Sequence, residues 1–242
     1  MIFYYVRHGE PIYNPDSLTE YGHAQAEALV ARMKVWGLDK IYASTSNRAR
    51  LTAEPTCKAL GIEPVLLDFA NEGHAWKQMG NEVHGVRKVR TWAFLDPEYV
   101  RRFNEPEVYA LGDRWYDSPL FEGTTFKEGM LRIHQGVDEL FESLGYRHDR
   151  ERHVFEVKQD SKERVALFAH QGFGLLFLSS VLDIPYPIFA SRFDLSHSSV
   201  TAIEFPAPDA DGICRPKILQ LSNDSHLFKA DILRKYNNEI EV

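Results

Sequence analysis

Residues 1–10 read MIFYYVRHGE, and this stretch decides the fold. Its first six residues are aliphatic or aromatic, which is typical of a buried strand. The run ends in Arg7, His8 and Gly9, at the end of a strand where open α/β sheets place their ligands. An arginine can hold an anion with its fork of donors, and a histidine can act as nucleophile or acid–base near neutral pH. We therefore predict phosphate chemistry at this strand end.

Two more predicted strands end in polar side chains. Ile41–Ser44 is followed by Arg48 at the start of a helix, and Arg164–Ala169 is followed by His170. Between the first two strands, Thr19 is a suitable N-cap for another helix. That helix places residues at helical spacing along one face: Gly22, Gln25, Leu29 and Met33.

Several short motifs lie in order along the chain. They are Val6-Arg7-His8-Gly9-Glu10, Asn14, Leu18-Thr19 with Gly22 and Gln25-Ala26, Ile41-Tyr42-Ala43-Ser44 with Arg48-Ala49 and Thr52-Ala53-Glu54, and Ala169-His170 with Gly172. In this set the chain resembles the histidine phosphatase superfamily, also called the phosphoglycerate-mutase-like family. The resemblance covers residues 1–72 and 163–204. It implies an α/β fold, a three-layer α/β/α sandwich with a mostly parallel central sheet.

The resemblance also implies roles for single residues. His8 would attack phosphorus and carry a transient phosphohistidine, while Arg7, Arg48 and His170 would surround the transferred phosphoryl group. Phosphoryl transfer asks a protein mainly for positioning and charge stabilisation, which two guanidiniums and an imidazole can supply. We therefore expect no cofactor and no metal ion.

Two further residues are predicted to bind substrate. Asn14 would donate an amide hydrogen to the same phosphate, although asparagine is also common in ordinary turns. Gln171 directly follows the second catalytic histidine and is predicted to contact the substrate as well.

The general acid has two candidates. The chemistry needs a carboxylic acid that protonates the leaving alkoxide. Glu72, preceded by Asn71, resembles the mutase pattern of Asn-Glu, and we favour it. Asp68 is the competitor, because it directly follows an apolar run.

Residues 76–123 are expected to form a lid-like insertion over the strand ends. This segment is rich in aromatic residues, which either contact the substrate or pack a small helical lid against the sheet. They are Trp76, Trp92, Phe94, Tyr99, Phe103, Tyr109, Trp115, Tyr116 and Phe121. His74, His84 and His197 are expected to have surface or structural roles. The charged residues 145–162 predict an exposed loop or hairpin.

Composition limits the partners of this chain. Its 242 residues suit one domain, residues 1–242, and 44% of them are hydrophobic. The net charge of −7 and the lack of a basic tract argue against a nucleic-acid partner. No apolar run approaches the length of a membrane span. The first residues are expected to form a core strand that carries the Arg7-His8 motif, and therefore not a cleaved leader. With only Cys57 and Cys214, no disulfide framework is expected, so we predict a cytoplasmic protein whose partner is a small phosphorylated substrate.

The motifs leave three reactions open. Hydrolysis of a small phosphomonoester is favoured, because mutases of the family have His-Gly-Asn where this chain has His170-Gln171-Gly172. Isomerisation of the phosphoglycerate-mutase type is the alternative, supported by Asn71-Glu72. An inactive member that binds a phosphorylated ligand is the third. The identity of the phosphoester and the oligomeric state are not indicated by the sequence.

Overall fold

The computed structural model of the chain describes residues 1–83 and 89–234; His84 lies outside them. The strands are β1 Ile2–Arg7, β2 Pro11–Tyr13, β3 Asp16–Leu18, β4 Lys40–Ser44, β5 Val65–Leu67, β6 Gly80–Val83, β7 Val89–Trp92, β8 Tyr146–Asp149, β9 Val154–Val157, β10 Arg164–Ala169, β11 Val200–Glu204, β12 Ile213–Cys214 and β13 Lys217–Asn223. The α-helices are α1 Glu20–Trp36, α2 Asn47–Leu60, α3 Glu72–Met79, α4 Pro97–Phe103, α5 Pro106–Leu111, α6 Phe126–Ser143, α7 Gln171–Leu182, α8 Tyr186–Ala190 and α9 Ser225–Lys229. No helix within the described residues is both long and apolar enough to cross a bilayer.

A six-stranded sheet forms the centre of the molecule, in the order β13-β11-β1-β10-β4-β5. Strands β1, β10, β4 and β5 are parallel neighbours, whereas β11 runs antiparallel to both β1 and β13. The predicted α/β fold with a mostly parallel central sheet is therefore confirmed.

The two faces of β1 pack against different helices because successive side chains of a strand point to opposite faces. Phe3 and Tyr5 belong to a core cluster with residues of α6 and α7. Tyr4 and Val6 belong to a second cluster with residues of α1 and α2. Helices thus cover both faces of the sheet, and the strand ends stay open between the two helical layers.

The first two helices begin where the sequence indicates. The Thr19 hydroxyl accepts a hydrogen bond from the amide of Gly22 at 2.9 Å and caps α1. The N-cap of α2 is Ser46, so Arg48 is the second residue of that helix and lies beside the end of β4. Both helices therefore start at the edge of the sheet where β1 and β10 end.

Most aromatic residues of segment 76–123 pack on one another and on Tyr186 of α8. Phe103, for example, lies edge-to-face against both Trp115 and Tyr186. Trp76 and Trp92 form an edge-to-face pair with ring centroids 5.0 Å apart, and Trp92 also packs on Phe94.

Residues 145–162 form a hairpin, β8–β9, that is less exposed than its charged sequence suggests. Tyr146 and Phe155 are fully buried, and His148 stacks on Phe155 at 4.0 Å between ring centroids. The correction has a physical reason: the strands alternate, so charged side chains such as Arg147 face outward while every second residue faces the core.

We expect His148 to make the free energy of unfolding depend on pH. Burial alone lowers the pKa of His148, but its interactions with the carboxylates of Asp138 and Asp183 outweigh this and raise the pKa above its usual value. Nε2 lies 2.9 Å from Asp183 and Nδ1 lies 3.3 Å from Asp138, with Arg150 nearby. The stabilisation is thus complete below the unfolded pKa, about 6.5, and is lost as the pH rises through the folded pKa.

The variant His148→Asn should accordingly be less stable than the wild type by about 1–2 kcal/mol at about pH 5.5, with a smaller difference at about pH 9. Urea unfolding at the two pH values measures this, and His153→Asn, at a half-exposed histidine of the same hairpin, is the control. A stability loss in His148→Asn that grows with pH would contradict the expected sign.

Candidate active site

The register between β1 and β10 brings two buried histidines together. Arg7 pairs with Ala169, so His8 and His170 follow at the same edge of the sheet. The backbone amide of His8 donates to the carbonyl of Ala169 at 2.9 Å, which extends the strand pairing to the histidine itself. The two imidazole centroids are 5.2 Å apart, and both side chains are shielded from solvent.

His8 is held with one ring nitrogen free for chemistry. Its Nδ1 lies 2.7 Å from its neighbour's carbonyl, that of Gly9, which can only accept, so Nδ1 carries the proton. Nε2 is then the unprotonated nitrogen, and it accepts from Nε of Arg48 at 3.3 Å. Burial, followed by the charges of His170 and Arg7, holds the pKa of His8 well below its usual value. A neutral imidazole whose Nε2 is unprotonated can act as a nucleophile once the Arg48 donor turns to the substrate.

The turn after His8 is fixed by a close backbone approach to α1. A Cβ at Gly9 would lie 2.6 Å from the carbonyl oxygen of Gly22, and one at Gly22 would lie 2.2 Å from the carbonyl oxygen of Glu10. Larger residues at either glycine would push the turn and the helix apart. The amide of Gly9 also donates to the hydroxyl of Thr52 at 3.0 Å, which ties the turn to α2.

Arg7 is a buried cation whose charge is partly offset by the carboxylates of Asp194 and Glu72. Its guanidinium donates to the carbonyl of Leu195 and, at 2.7 Å, to Nε2 of His197. Its Nε is buried without a hydrogen-bond partner, and within the described residues no carboxylate forms an ion pair with it. Burial lowers the pKa of Arg7, which reflects the cost of a charge removed from water. An anion bound beside it would offset that cost.

Arg48 is balanced by two carboxylates. One terminal nitrogen lies 2.7 Å from Asp16 and the other lies 3.0 Å from Glu72. Asp16 also accepts from the amide of Asn47 at 2.7 Å, which joins the β2–β3 hairpin to the start of α2. Sequence analysis missed Asp16, because an aspartate after Asn14-Pro15 is ordinary turn chemistry and nothing local distinguishes it.

The carboxylate of Glu72 lies between Arg48 and His170. Glu72 is the first residue of α3, whose N-cap Asn71 accepts from the amide of Gly73 at 2.9 Å. One carboxylate oxygen accepts from the amide of Gly172 at 2.9 Å, and the other lies 3.6 Å from Nδ1 of His170. The competing candidate, Asp68, is 76% exposed and pairs with His74 at 3.0 Å. The structure thus brings Glu72, and not Asp68, to the histidines.

His170 is oriented by hydroxyl groups on neighbouring strands. Its Nε2 lies 2.8 Å from the hydroxyl of Ser44 and 3.2 Å from that of Ser46, both of which can donate to it. Its backbone is held by Tyr5, whose hydroxyl donates to the carbonyl of His170 at 2.5 Å and accepts from its amide at 3.1 Å. Burial, then Arg48 and Arg7, hold the pKa of His170 well below its usual value. Nδ1, the other ring nitrogen of His170, lies on the side of Glu72.

His197 also lies at the site, in contrast to the surface or structural role expected from the sequence. Its ring centroid is 5.8 Å from that of His8, and its Nε2 accepts from Arg7. The loop that carries it is anchored beneath the site, where the Ser198 hydroxyl lies 3.0 Å from Nε2 of the buried His226. In the sequence His197 is a histidine three residues before β11, and nothing in this position reveals a contact across 190 residues.

The two predicted substrate-binding residues lie further out. Asn14 is exposed at the turn of the β2–β3 hairpin, and within the described part of the chain no hydrogen bond connects it with the histidines or arginines. Gln171 is the first residue of α7, half-buried, and its side-chain amide donates to Asp194. Their contacts with substrate stay predictions.

The donor set suits an anion better than a metal ion. Ligand atoms of His8, Glu72 and His170 lie within 4.8 Å of one another, which is close enough to hold a cation. However, the guanidinium of Arg48 already bonds to His8 and Glu72, and Arg7 adds a second buried positive charge. A metal cation there would be repelled by both, whereas a phosphate dianion would be attracted by both.

A cleft of about 720 Å³ opens beside this charged group. Its lining combines indole and phenol rings, polar uncharged side chains and two carboxylates: Tyr13, Asp16, Thr45, Ser46, Asn47, Arg48, Asn71, Glu72, Gly73, Trp76, Thr91, Trp92 and Leu95. The cleft is large enough for an organic group attached to a phosphate.

Comparison with known proteins agrees with this geometry. The model of the histidine phosphatase superfamily (branch 1) matches residues 3–210. No curated protein sequence matches the chain significantly. Among solved structures, a phosphoserine phosphatase mutant from Entamoeba histolytica in complex with phosphoserine is 18% identical, with a TM-score of 0.58 over 93% of this chain and 98% of that one.

Two other solved structures are similar to the same degree. The mycobacterial glucosyl-3-phosphoglycerate phosphatase in complex with inorganic phosphate is 17% identical, with a TM-score of 0.57 over 93% of this chain and 98% of that one. A putative alpha-ribazole-5′-phosphate phosphatase from Escherichia coli is 15% identical, with a TM-score of 0.57 and the same coverage, 93% and 98%. At these identities the similarity shows the fold alone.

The geometry predicts that inorganic phosphate binds between the two arginines. Arg48→Gln removes charge-assisted donors and should weaken phosphate binding about ten- to a hundredfold. Isothermal titration calorimetry measures the affinity. Arg147→Gln, at an exposed arginine paired with Glu156 on the β8–β9 hairpin, is the matched control and should bind like the wild type. Equal phosphate affinity in Arg48→Gln and the wild type would remove Arg48 from the binding site.

Proposed function

Because the chain belongs to the histidine phosphatase superfamily, we propose that it hydrolyses a small phosphomonoester through a phosphohistidine on His8. The observation that carries the proposal is the pair of guanidiniums, buried Arg7 and half-buried Arg48, around a neutral imidazole whose Nε2 is unprotonated. Charge stabilisation and positioning are what phosphoryl transfer requires, and no step here needs a metal ion.

In the first step, Nε2 of His8 attacks phosphorus and the bond from phosphorus to the ester oxygen breaks. Arg7 and Arg48 stabilise the charge that spreads over the equatorial oxygens, and Nδ1 of His170 donates to one of them. Glu72, as the general acid, gives its proton to the departing alkoxide. The products are a phosphohistidine and a free alcohol.

In the second step, water attacks the phosphohistidine from the side that the alcohol has left. Glu72 takes a proton from this water, the bond between phosphorus and His8 breaks, and inorganic phosphate leaves. The same carboxyl group thus serves as acid and then as base.

Arg48 connects substrate binding with the state of Glu72. In the structure it donates to Glu72 and to Asp16 at once. A bound phosphate competes with Glu72 for Arg48, while Asp16 keeps the guanidinium in place. The ion pair between Arg48 and Glu72 is then replaced by one between Arg48 and the phosphate.

The favoured reaction is hydrolysis. Several similar structures are described as phosphatases, among them enzymes for phosphoserine, glucosyl-3-phosphoglycerate and, putatively, alpha-ribazole-5′-phosphate. Their low identity supports the fold and leaves the substrate of this chain open. Isomerisation of the phosphoglycerate-mutase type is the alternative, and binding without catalysis is the third possibility that the experiment below distinguishes.

The proposal also specifies the partner and the cellular location of the protein. The partner is a small phosphorylated molecule and not a nucleic acid or a membrane, since the chain carries a net charge of −7 without a basic tract. A cytoplasmic location fits the two unpaired cysteines, Cys57 and Cys214, which are both buried.

Loss of the nucleophile should abolish the reaction. The wild type is expected to release phosphate from at least part of a phosphomonoester panel, and His8→Ala is expected to release none. The wild type, quenched during turnover and measured by intact mass, should carry one phosphoryl group that His8→Ala lacks. Conversion of 3- to 2-phosphoglycerate without phosphate release would instead establish the mutase, and silence on the panel with intact phosphate binding would establish a binder.

Esters with different leaving groups can show whether Glu72 or Asp68 is the general acid. An alkoxide needs a proton from the enzyme, whereas p-nitrophenolate leaves without one. Glu72→Gln should therefore lower kcat/KM about a hundred- to ten-thousandfold for glycerol 3-phosphate and much less for p-nitrophenyl phosphate. Asp68→Asn is the matched control and should stay near the wild type for both esters. The reverse pattern would assign the general acid to Asp68.

A further inference from the structure

We propose that the natural leaving group is an uncharged alcohol with a flat ring, which packs against the indoles of Trp76 and Trp92. The inference rests on the proposed phosphatase function and specifies the substrate class for that same site. It follows from where these two rings lie relative to Glu72, and from the charges along the rest of the cleft.

Trp76 lies on the same helical face as the general acid. Glu72 and Trp76 are four residues apart on α3, and side chains at this spacing are neighbours on the helix surface. Both residues line the 720 Å³ cleft. Since Glu72 protonates the leaving oxygen, the group attached to that oxygen begins beside this helical face.

Trp92, the last residue of β7, also lies close to Glu72. A Cβ at Gly172 would lie 2.4 Å from the indole of Trp92, so the ring rests directly on the backbone of this glycine. The amide of Gly172 is the group that donates to Glu72 at 2.9 Å. Gly172 thus contacts both the indole of Trp92 and the carboxylate of Glu72. Any side chain at Gly172 would displace the indole.

The two indoles form one wall. Their centroids are 5.0 Å apart and their planes meet at 75°, so Trp76 and Trp92 hold one another in place. Both are only partly buried, which leaves ring surface open to the cleft. Leu95, which is 56% exposed, also lines the cleft. A flat ring gains contact area and favourable geometry from such a wall.

The charges of the cleft favour an uncharged leaving group. Apart from the catalytic Arg48 and Glu72, the charged side chain along its described lining is Asp16. The polar remainder is neutral and includes Thr45, Asn71 and Thr91. A carboxylate on the leaving group would meet the charge of Asp16, because Arg48 is engaged by Asp16 and by the transferred phosphate.

The test compares substrates that differ in one property. Benzyl phosphate and cyclohexylmethyl phosphate release primary alcohols of similar size and acidity, one with a flat ring and one without. We expect kcat/KM to favour benzyl phosphate about five- to tenfold. Uridine 5′-phosphate against ribose 5-phosphate repeats the comparison for a nucleobase, and distinguishes a nucleotide from a smaller aromatic ester. Glycerol 3-phosphate against 3-phosphoglycerate tests the carboxylate, and glycerol 3-phosphate should be preferred.

Variants of Trp76 test whether the preference for benzyl phosphate depends on the two indoles. In Trp76→Leu the ratio of benzyl to cyclohexylmethyl turnover should fall to about one, while Trp76→Phe, which keeps a ring, should retain most of it. Phe228→Leu, at a 77% exposed aromatic residue of α9, is the control and should keep the wild-type ratio. Melting temperatures of all variants exclude a difference caused by unfolding.

The possible results distinguish a failure of this inference from a failure of the proposed phosphatase function. A ratio near one in the wild type, a ratio unchanged by Trp76→Leu, or a preference for 3-phosphoglycerate would overturn the inference while phosphate release still supports a phosphatase. If no ester releases phosphate, or if His8→Ala releases as much as the wild type, the proposed function fails and the inference fails with it.

Discussion

The parallel pairing of β1 with β10 is the constraint on which the site depends. It aligns Arg7 with Ala169, and the bond from the amide of His8 to the carbonyl of Ala169 carries this register into both catalytic turns. A slip by one residue would turn the following side chains to the opposite faces of the sheet. Tyr5 strengthens the same register, because its hydroxyl bonds to the backbone of His170 in both directions. The 5.2 Å between the imidazoles is therefore a property of the sheet rather than of the loops.

Charge is distributed unevenly around these two rings. Arg48 lies between Asp16 and Glu72, whereas Arg7 is buried with a carbonyl, a histidine and an unpartnered Nε. Burial costs free energy for both guanidiniums, but only Arg48 has that cost offset by ion pairs within the described residues. The charges of Asp194 and Glu72 also act on Arg7, and an anion bound beside it would add to them. Burial also lowers the pKa of His8, so the residue proposed to attack phosphorus stays unprotonated.

Sequence reasoning reached the parts of the molecule that have local signatures. The apolar strands, the Thr19 cap and the polar strand ends were visible locally. The resemblance to the histidine phosphatase superfamily implied the mostly parallel sheet, and it implied that Arg48 and His170 would surround the group transferred to His8. Asp16 and His197 escaped because their roles arise from contacts across 32 and 190 residues, and neither sits in a distinctive pattern. His148 escaped for a similar reason: the charges of its hairpin obscured the alternation that buries every second side chain. Asn14 and Gln171 were selected by motif, and their described contacts are with neither imidazole.

The two ends of the site have different origins in the chain. The phosphate end is made by motifs at the ends of β1, β4 and β10, all of which belong to the central sheet. The proposed leaving-group end is made by α3 and β7, which lie outside the central sheet. Trp92 connects the two ends, because it packs on Gly172, two residues after His170. Substitutions in α3 and β7 can therefore change which alcohol is accepted while the register of β1 and β10, and with it the proposed phosphoryl-transfer geometry, is preserved.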